Sequence, residues 1–437
     1  MRIASEQYQR MERTTSMQKL LFVATVFLCA IASCQVGFAS DLILVHARIY
    51  TSPSEKPLED GTIVIHNGQI RAVGPSKTTK GPHLVRLVTV VDCTGMTITA
   101  GLWNNHVHIF TTGLLHAENA PASQLTSQLE SMLTRWGFTT VFDTGSLLEN
   151  TNIIRKRIAT GEVKGPRILT VGEPFYAKGG IPVYVEPFLE ENHVKLPTVA
   201  SNAEAVSRVQ QQVRDDADGI KIFSGSIEND GVHIMPLDMA KAIVAEAHRL
   251  GKPVIVHPSN EQGVEVAIQS GADILAHVAP MSGPWSPETI TRMTTAHLGL
   301  IPTLTLFDVE AKKAQVSPQE NQQWIDAAVQ QLQAYSAAGG QILFGTDVGY
   351  TDHYDTAEEY ALMSKAGMTF PQILASLTTN PAERFGKSSH SGQIAKSMDA
   401  DLTVLDGDPA TNIEAFSKVR YTIRNGKIIY AAHPEKL

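Results

Sequence analysis

Beyond residue 40 the chain carries two rhythms of apolar and polar positions. In "DLILVHARIYT", "GTIVIHNGQIRAVG" and "HLVRLVTVVDCTG" the two kinds alternate between Gly, Pro and Asn punctuation. A period of two sends successive side chains to opposite faces, so these segments predict short antiparallel strands. The C-terminal end repeats the pattern in "ADLTVLDGDP" and "VRYTIRNGKIIYA", where Asn425 and Gly426 are a two-residue hairpin signal. Two β-rich ends around a different middle predict one small sheet assembled from both termini. The middle alternates short apolar runs with helical stretches. Eight runs stand out: "ITAGLWNNHVH", "FTTVFDTG", "RILTVGEP", "GIKIFSG", "PVIVHPS", "DILAHVA", "LIPTL" and "ILFGTD". Between them, "PLDMAKAIVAEAHRLG" and "PETITRMTTAHLG" space their apolar residues for one helix face and stop at Gly251 and Gly299. Eight strand-plus-helix units predict an α/β chain whose parallel strands close into a (β/α)8 TIM barrel.

Residues 1–40 follow neither rhythm. "LLFVATVFLCAIAS", from Leu20 to Ser33, is uncharged, apolar and preceded by Lys19. That is the layout of a secretory signal and too short for a membrane span, so the protein is expected to be exported to the periplasm or cell envelope. The region before the apolar core is long for a signal, and Met17 would open a more ordinary one. Processing has three readings, one of them an uncleaved anchor. "IASC" resembles a lipobox, with cleavage before Cys34 and a lipid anchor on it, whereas "AIA" and "GFAS" offer small-residue sites for simple cleavage. Cys29 and Cys34 fall in this leader, which leaves Cys93 and no disulfide framework in the mature domain. A net charge of −8, from 36 basic against 44 acidic residues, argues against a nucleic-acid partner and leaves a small-molecule substrate.

Chemistry enters at the ends of the runs. His106 and His108 are two residues apart, which on a strand directs both imidazoles to one face, the spacing of two ligands on one metal. Asp143, Glu173, Lys221, His257, His277 and Asp347 occupy corresponding positions on other runs. In a (β/α)8 barrel such ends converge on one mouth, where these folds hold their active sites. Asp143 and Glu173 are expected to support strand ends ahead of binding metal. His248 and His297, in the last turns of helices, are read as structural. Lys221 is unusual, because "GIKIF" embeds an ammonium in a run suited to burial. Either it snorkels to solvent, or its neutral amine takes up carbon dioxide to form a carbamate, an anion able to bridge two metals. Tyr176, Lys178, Ser224, Ser259, Asn260, Tyr350 and His353 follow the runs and are expected to line the mouth, with Tyr176, Ser224, Asn260 and Tyr350 as substrate contacts.

On the His-x-His of "GLWNNHVH", the lysine of "GIKIF", the histidines of "VIVHPS" and "ILAHV", the aspartate of "FGTD" and the stretch "TTNPAERFG…GQIAKSMDADLTVLD", the chain resembles the amidohydrolase superfamily. The likeness is to its binuclear prolidase-like and imidazolonepropionase-like branch. It implies a barrel over 98–390 and a small β-sandwich whose halves are 41–97 and 391–437. It also implies two divalent ions, zinc or another. His106 and His108 would hold the more buried ion with Asp347, and His257 and His277 the more exposed one, with carboxylated Lys221 between them. One departure stands out: the family commonly has an aspartate where this chain has Asn104, an amide that can orient a neighbour but brings no charge.

The expected function is hydrolysis of an amide or peptide-like carbon–nitrogen bond in a small substrate by a metal-activated hydroxide, with Asp347 as proton carrier. Three alternatives stay open: a lactone or cyclic-amide hydrolase, a one-metal deaminase or imidazolone-ring hydrolase with unmodified Lys221, and a non-catalytic envelope binding protein. No G-x-S-x-G occurs, which weighs against one common serine-hydrolase arrangement.

Overall fold

The computed structural model describes residues 41–79 and 88–433, so the leader with Met17, Cys29 and Cys34 lies outside the described residues. Both chain ends enter one mixed sheet of eight strands. Its order is Lys427–Ala431, Val419–Arg424, Leu402–Asp406, Met96–Ala100, Asp41–Ile49, Leu58–His66 and Gln69–Pro75, with Val88–Asp92 also beside Asp41–Ile49. The termini meet where Met96–Ala100 pairs antiparallel with Leu402–Asp406, Ala100 opposite Leu402. Inward-facing Leu44, Ile63, Ile98, Leu402, Val404 and Ile423 form a cluster of their own. Burying each such side chain contributes about 1.5–3 kcal/mol. The hairpin expected at Asn425–Gly426 is present, with φ of 48° and 69°, the left-handed pair that a tight two-residue turn requires. Asn67–Gly68 makes a second such turn, and the two pack so closely that a Cβ on Gly68 would stand 3.0 Å from the Asn425 carbonyl.

The middle of the chain is α/β. Leu102–Val107, Phe138–Asp143 and Arg167–Thr170 form one parallel sheet. Ile220–Phe223, Val254–His257, Ile274–Ala276 and Gly299–Ile301 form another. Helices alternate with these strands. Leu237–Arg249 buries Met239, Ile243, Val244 and Ala247 on one face, as its spacing predicts, and Ser286 caps Pro287–Thr295 by accepting from Thr289 N. His248 pairs with Asp273 at 2.8 Å, a structural contact.

The eighth run, "ILFGTD", is not a regular strand. It makes isolated parallel bridges, Ile342 to Leu300 and, just beyond it, Val348 to Val107. Its backbone nevertheless bonds on both sides: Asn105 N donates to Phe344 O, Asp347 N to His106 O and Leu343 N to Leu300 O. At Gly345 the run passes close to its neighbours, where a Cβ would lie 2.3 Å from Ile301 Cγ2 and 2.8 Å from His106 Cβ. Only glycine permits that approach.

Candidate active site

Leu102–Val107 is buried along its whole length, His106 included. His106, Lys221, His277 and Asp347 are each less than 5% exposed. The strand ends bring the four imidazoles together. Ring centroids are 5.3 Å apart for His106 and His108, 4.4 Å for His106 and His277, and 4.8 Å for His257 and His277. Phe223, two residues beyond Lys221, stacks on His257 at 4.4 Å. Asp347 reaches in from the eighth run: its Oδ1 is 3.2 Å from His106 Nε2 and 2.8 Å from His108 Nε2.

The second nitrogen of each ring decides which nitrogen is left bare. His108 Nδ1 meets the Gly145 carbonyl at 2.7 Å, and a carbonyl only accepts, so Nδ1 carries the proton and Nε2 is bare. The Thr303 hydroxyl donates to Pro302 O, so at 2.7 Å it accepts from His277 Nδ1 and again leaves Nε2 bare. Ser259 Oγ donates to Gly225 O and therefore accepts from His257 Nε2, which frees Nδ1. Three of the four rings are thus locked by a fixed partner, the arrangement that orients metal ligands.

The charges agree with this. Burial first, then the charge of Lys221, depresses His106 to about 3. Burial also holds His257 and His277 well below the usual imidazole value, so the rings are neutral donors. Burial raises Asp347, and His106 and His108, when they carry a proton toward it, outweigh burial and hold the carboxyl well below the usual carboxylate range. Burial lowers Lys221 to about 7, against the opposing pull of Asp347. Asp347 Oδ1 lies between the two Nε2 atoms, with no hydrogen bond of standard geometry reaching it. A carboxylate oxygen and a bare Nε2 at 2.8 Å are two lone pairs face to face, which repel unless a proton or a metal cation joins them. The donor set therefore fits a divalent metal.

Ser259, His277, Thr303 and Asp347 share another feature, left-handed backbone with φ of 56°, 73°, 45° and 61°. Each costs about 1–2 kcal/mol for a residue with a Cβ, and such strain clusters at functional sites.

The remaining residues singled out from sequence divide into two sets. Asp143 accepts from Ser146 and Thr170 hydroxyls at 2.6 and 2.7 Å and supports the turn that carries Gly145. Glu173 caps Leu148–Ala159 through Leu148 N and does not join the imidazoles. Asn104 accepts from His106 N and donates to Thr346, tying the histidine strand to the aspartate run. Tyr176 packs on Phe223 at 4.7 Å, and Tyr350 lies beside Tyr184 with its hydroxyl on Glu310. The Ser224 hydroxyl is committed to the His257 and Gly263 carbonyls, and Asn260 caps Glu261–Ser270 through Gly263 N. Gly145, Thr303 and Glu359, which caps the helix after Thr303, gave no signal in the sequence.

Residues 97–429 match the Amidohydrolase family. The chain belongs to the amidohydrolase family and, by that membership, is a hydrolase. Its fold is shared with a Xaa-Pro dipeptidase solved with methionine in the active site, at TM-score 0.76 and 21% identity, covering 90% of this chain and 100% of that one. It is likewise similar to the A. niger ochratoxinase, with TM-score 0.73, 20% identity and coverage of 90% and 96%. Molinate hydrolase aligns at TM-score 0.71 and 21% identity, covering 89% and 94%. No curated protein matches the sequence.

Proposed function

We propose that this protein is an exported two-metal hydrolase that cleaves the carbon–nitrogen bond of a small amide, such as a dipeptide or N-acyl amino acid. The observation that carries the reading is the convergence of His106 Nε2 and His108 Nε2 on one buried Asp347 oxygen, with His257 and His277 beside them. The bridges Phe175 to Ile222, Ile342 to Leu300 and Val348 to Val107 support closure of the parallel strands into a (β/α)8 barrel, capped by a sandwich-like sheet from both ends.

In this reading His106, His108 and Asp347 would hold one ion, while His257 through Nδ1 and His277 through Nε2 would hold the other. Neutral Lys221 would add to carbon dioxide, forming an N–C bond as a C=O electron pair moves to oxygen and a proton leaves the nitrogen, and the carbamate would supply anionic oxygen ligands between the two sets. When bound, the ions supply an activated water and polarise the substrate carbonyl. Asp347 accepts a proton from the water at a carboxylate oxygen and returns it to the leaving nitrogen. Tyr176 and Tyr350 line the approach. Ser224 and Asn260 serve it indirectly, by fixing the loop behind His257. The relatives named as dipeptidase and ochratoxinase support an amide-type bond. The leader supports export, with Cys34 as a lipid attachment point, a reading tested by the N-terminal mass of membrane-extracted protein.

A one-metal deaminase or ring hydrolase is favoured by a single observation. Among the described residues His106, His108 and Asp347 form the one group of three His, Cys, Asp or Glu side chains whose ligand atoms all lie within 4.8 Å of one another. The test is turnover of dipeptide, N-acyl amino acid, lactone and aminated-heterocycle libraries by metal-loaded and chelator-stripped protein. Metal-dependent cleavage of the first two classes supports the proposal, and turnover confined to lactones or heterocycles overturns the bond assignment.

A further inference from the structure

Thr303 stands at the start of the helix Leu304–Lys313, where a threonine ordinarily turns its hydroxyl onto a free N–H of the first turn. Here it makes no such bond. The hydroxyl instead lies between the Pro302 carbonyl and His277 Nδ1, at 2.9 and 2.7 Å. Diverting it leaves the first N–H groups of a buried helix end without their usual acceptor. They are satisfied from another helix altogether. Glu359, on Ala357–Lys365 and fully buried, accepts from Leu304 N at 2.9 Å with Oε1, and from Thr305 N at 2.8 Å and Thr305 Oγ1 at 3.0 Å with Oε2. Burial pushes this carboxyl up to about 7, so it stands there despite a desolvation penalty.

We propose that Glu359 is a positioning residue for His277: by capping Leu304 and Thr305 in place of Thr303, it holds Thr303 in its left-handed conformation and frees the hydroxyl to fix the His277 tautomer. The geometry leaves little alternative arrangement. Without an acceptor at Glu359, the Thr303 hydroxyl stands at the cap position of the helix, and relaxation of its φ of 45° toward the extended range usual at a cap withdraws it from Nδ1. His277 Nδ1 then loses its fixed acceptor, and either ring nitrogen can carry the proton. The consequence for catalysis rests on the reading of His277 as a metal ligand, because only the Nδ1–H form presents a bare Nε2. The effect on the ring does not rest on it.

The test uses metal-free, full-length protein labelled with nitrogen-15 histidine, in which long-range proton–nitrogen spectra report the tautomer of His277. Glu359→Gln removes a buried charge at nearly constant volume and is expected to fold, and Glu359→Asp shortens the reach of the carboxylate. In wild type His277 should be almost wholly Nδ1–H. In both variants the ratio of Nδ1–H to Nε2–H should fall by about tenfold, the scale of losing one buried hydrogen bond. Thr303→Val should give the same loss, and combining it with Glu359→Gln should add nothing further. A Glu359 that serves only as a helix cap would lower the melting temperature and leave the tautomer unchanged, and that result overturns the proposal. Because no metal is present, it is overturned or upheld whatever the ion count of the enzyme.

Discussion

Lys221→Met tests the electrostatics of the site without any substrate. The variant keeps an unbranched side chain of similar length and deletes the buried amine. In the metal-free fold that amine loses its proton near 7, whereas the ordinary lysine value is 10.5. Between those limits the unfolded chain carries one proton more than the folded one, so stability is gained as pH rises and is lost as pH falls toward 7. The slope is about 1.4 kcal/mol per pH unit for one proton. From about pH 7.5 to about pH 9.5, wild type should therefore gain about 2–3 kcal/mol more than Lys221→Met. His106, His257 and His277, which Lys221 also depresses, are held below this window and add little to that difference. The assay is urea unfolding of both proteins at the two pH values, with chelator and without carbon dioxide. Parallel pH dependences would refute the reasoning, since they would mean that Lys221 reaches solvent in the folded state.

Asp347→Asn should leave most of the bound metal in place and lower turnover at saturating substrate by at least about a hundredfold per metal-loaded site, the scale of removing a positioned acid–base group. A change confined to KM would assign Asp347 to substrate binding instead. His257→Ala should reduce bound metal by about one ion per chain, measured by elemental analysis after gel filtration. Asp143→Ala strands the Ser146 and Thr170 hydroxyls and should lower chemical stability by about 2–4 kcal/mol, read as a shifted urea midpoint.

Much of this architecture was legible because periodicity survives in sequence. The alternation in "GTIVIHNGQIRAVG" and the Asn425–Gly426 turn set the end sheet, and the short apolar runs carry the parallel strands. The i, i+2 spacing of His106 and His108 needs only strand geometry. The last run was harder to read, since "ILFGTD" has a strand's composition while its pairing is reduced to isolated bridges. The ring partners were not legible at all. Gly145 acts through a backbone carbonyl, and Thr303 through a left-handed conformation that no local signal announces. Glu359 acts across 55 residues of sequence. Asn260 illustrates a readable signal taken the other way: an asparagine directly before "EQGVEVAIQS" is a helix cap by position, and that is where its side chain is used.

The most direct test of the central claim is an anomalous-scattering map from crystals of zinc-loaded protein grown with bicarbonate. The account predicts two peaks, one among His106, His108 and Asp347 and one between His257 Nδ1 and His277 Nε2, with a carboxylated Lys221 joining them. A single peak beside an unmodified lysine in fully active protein would contradict it.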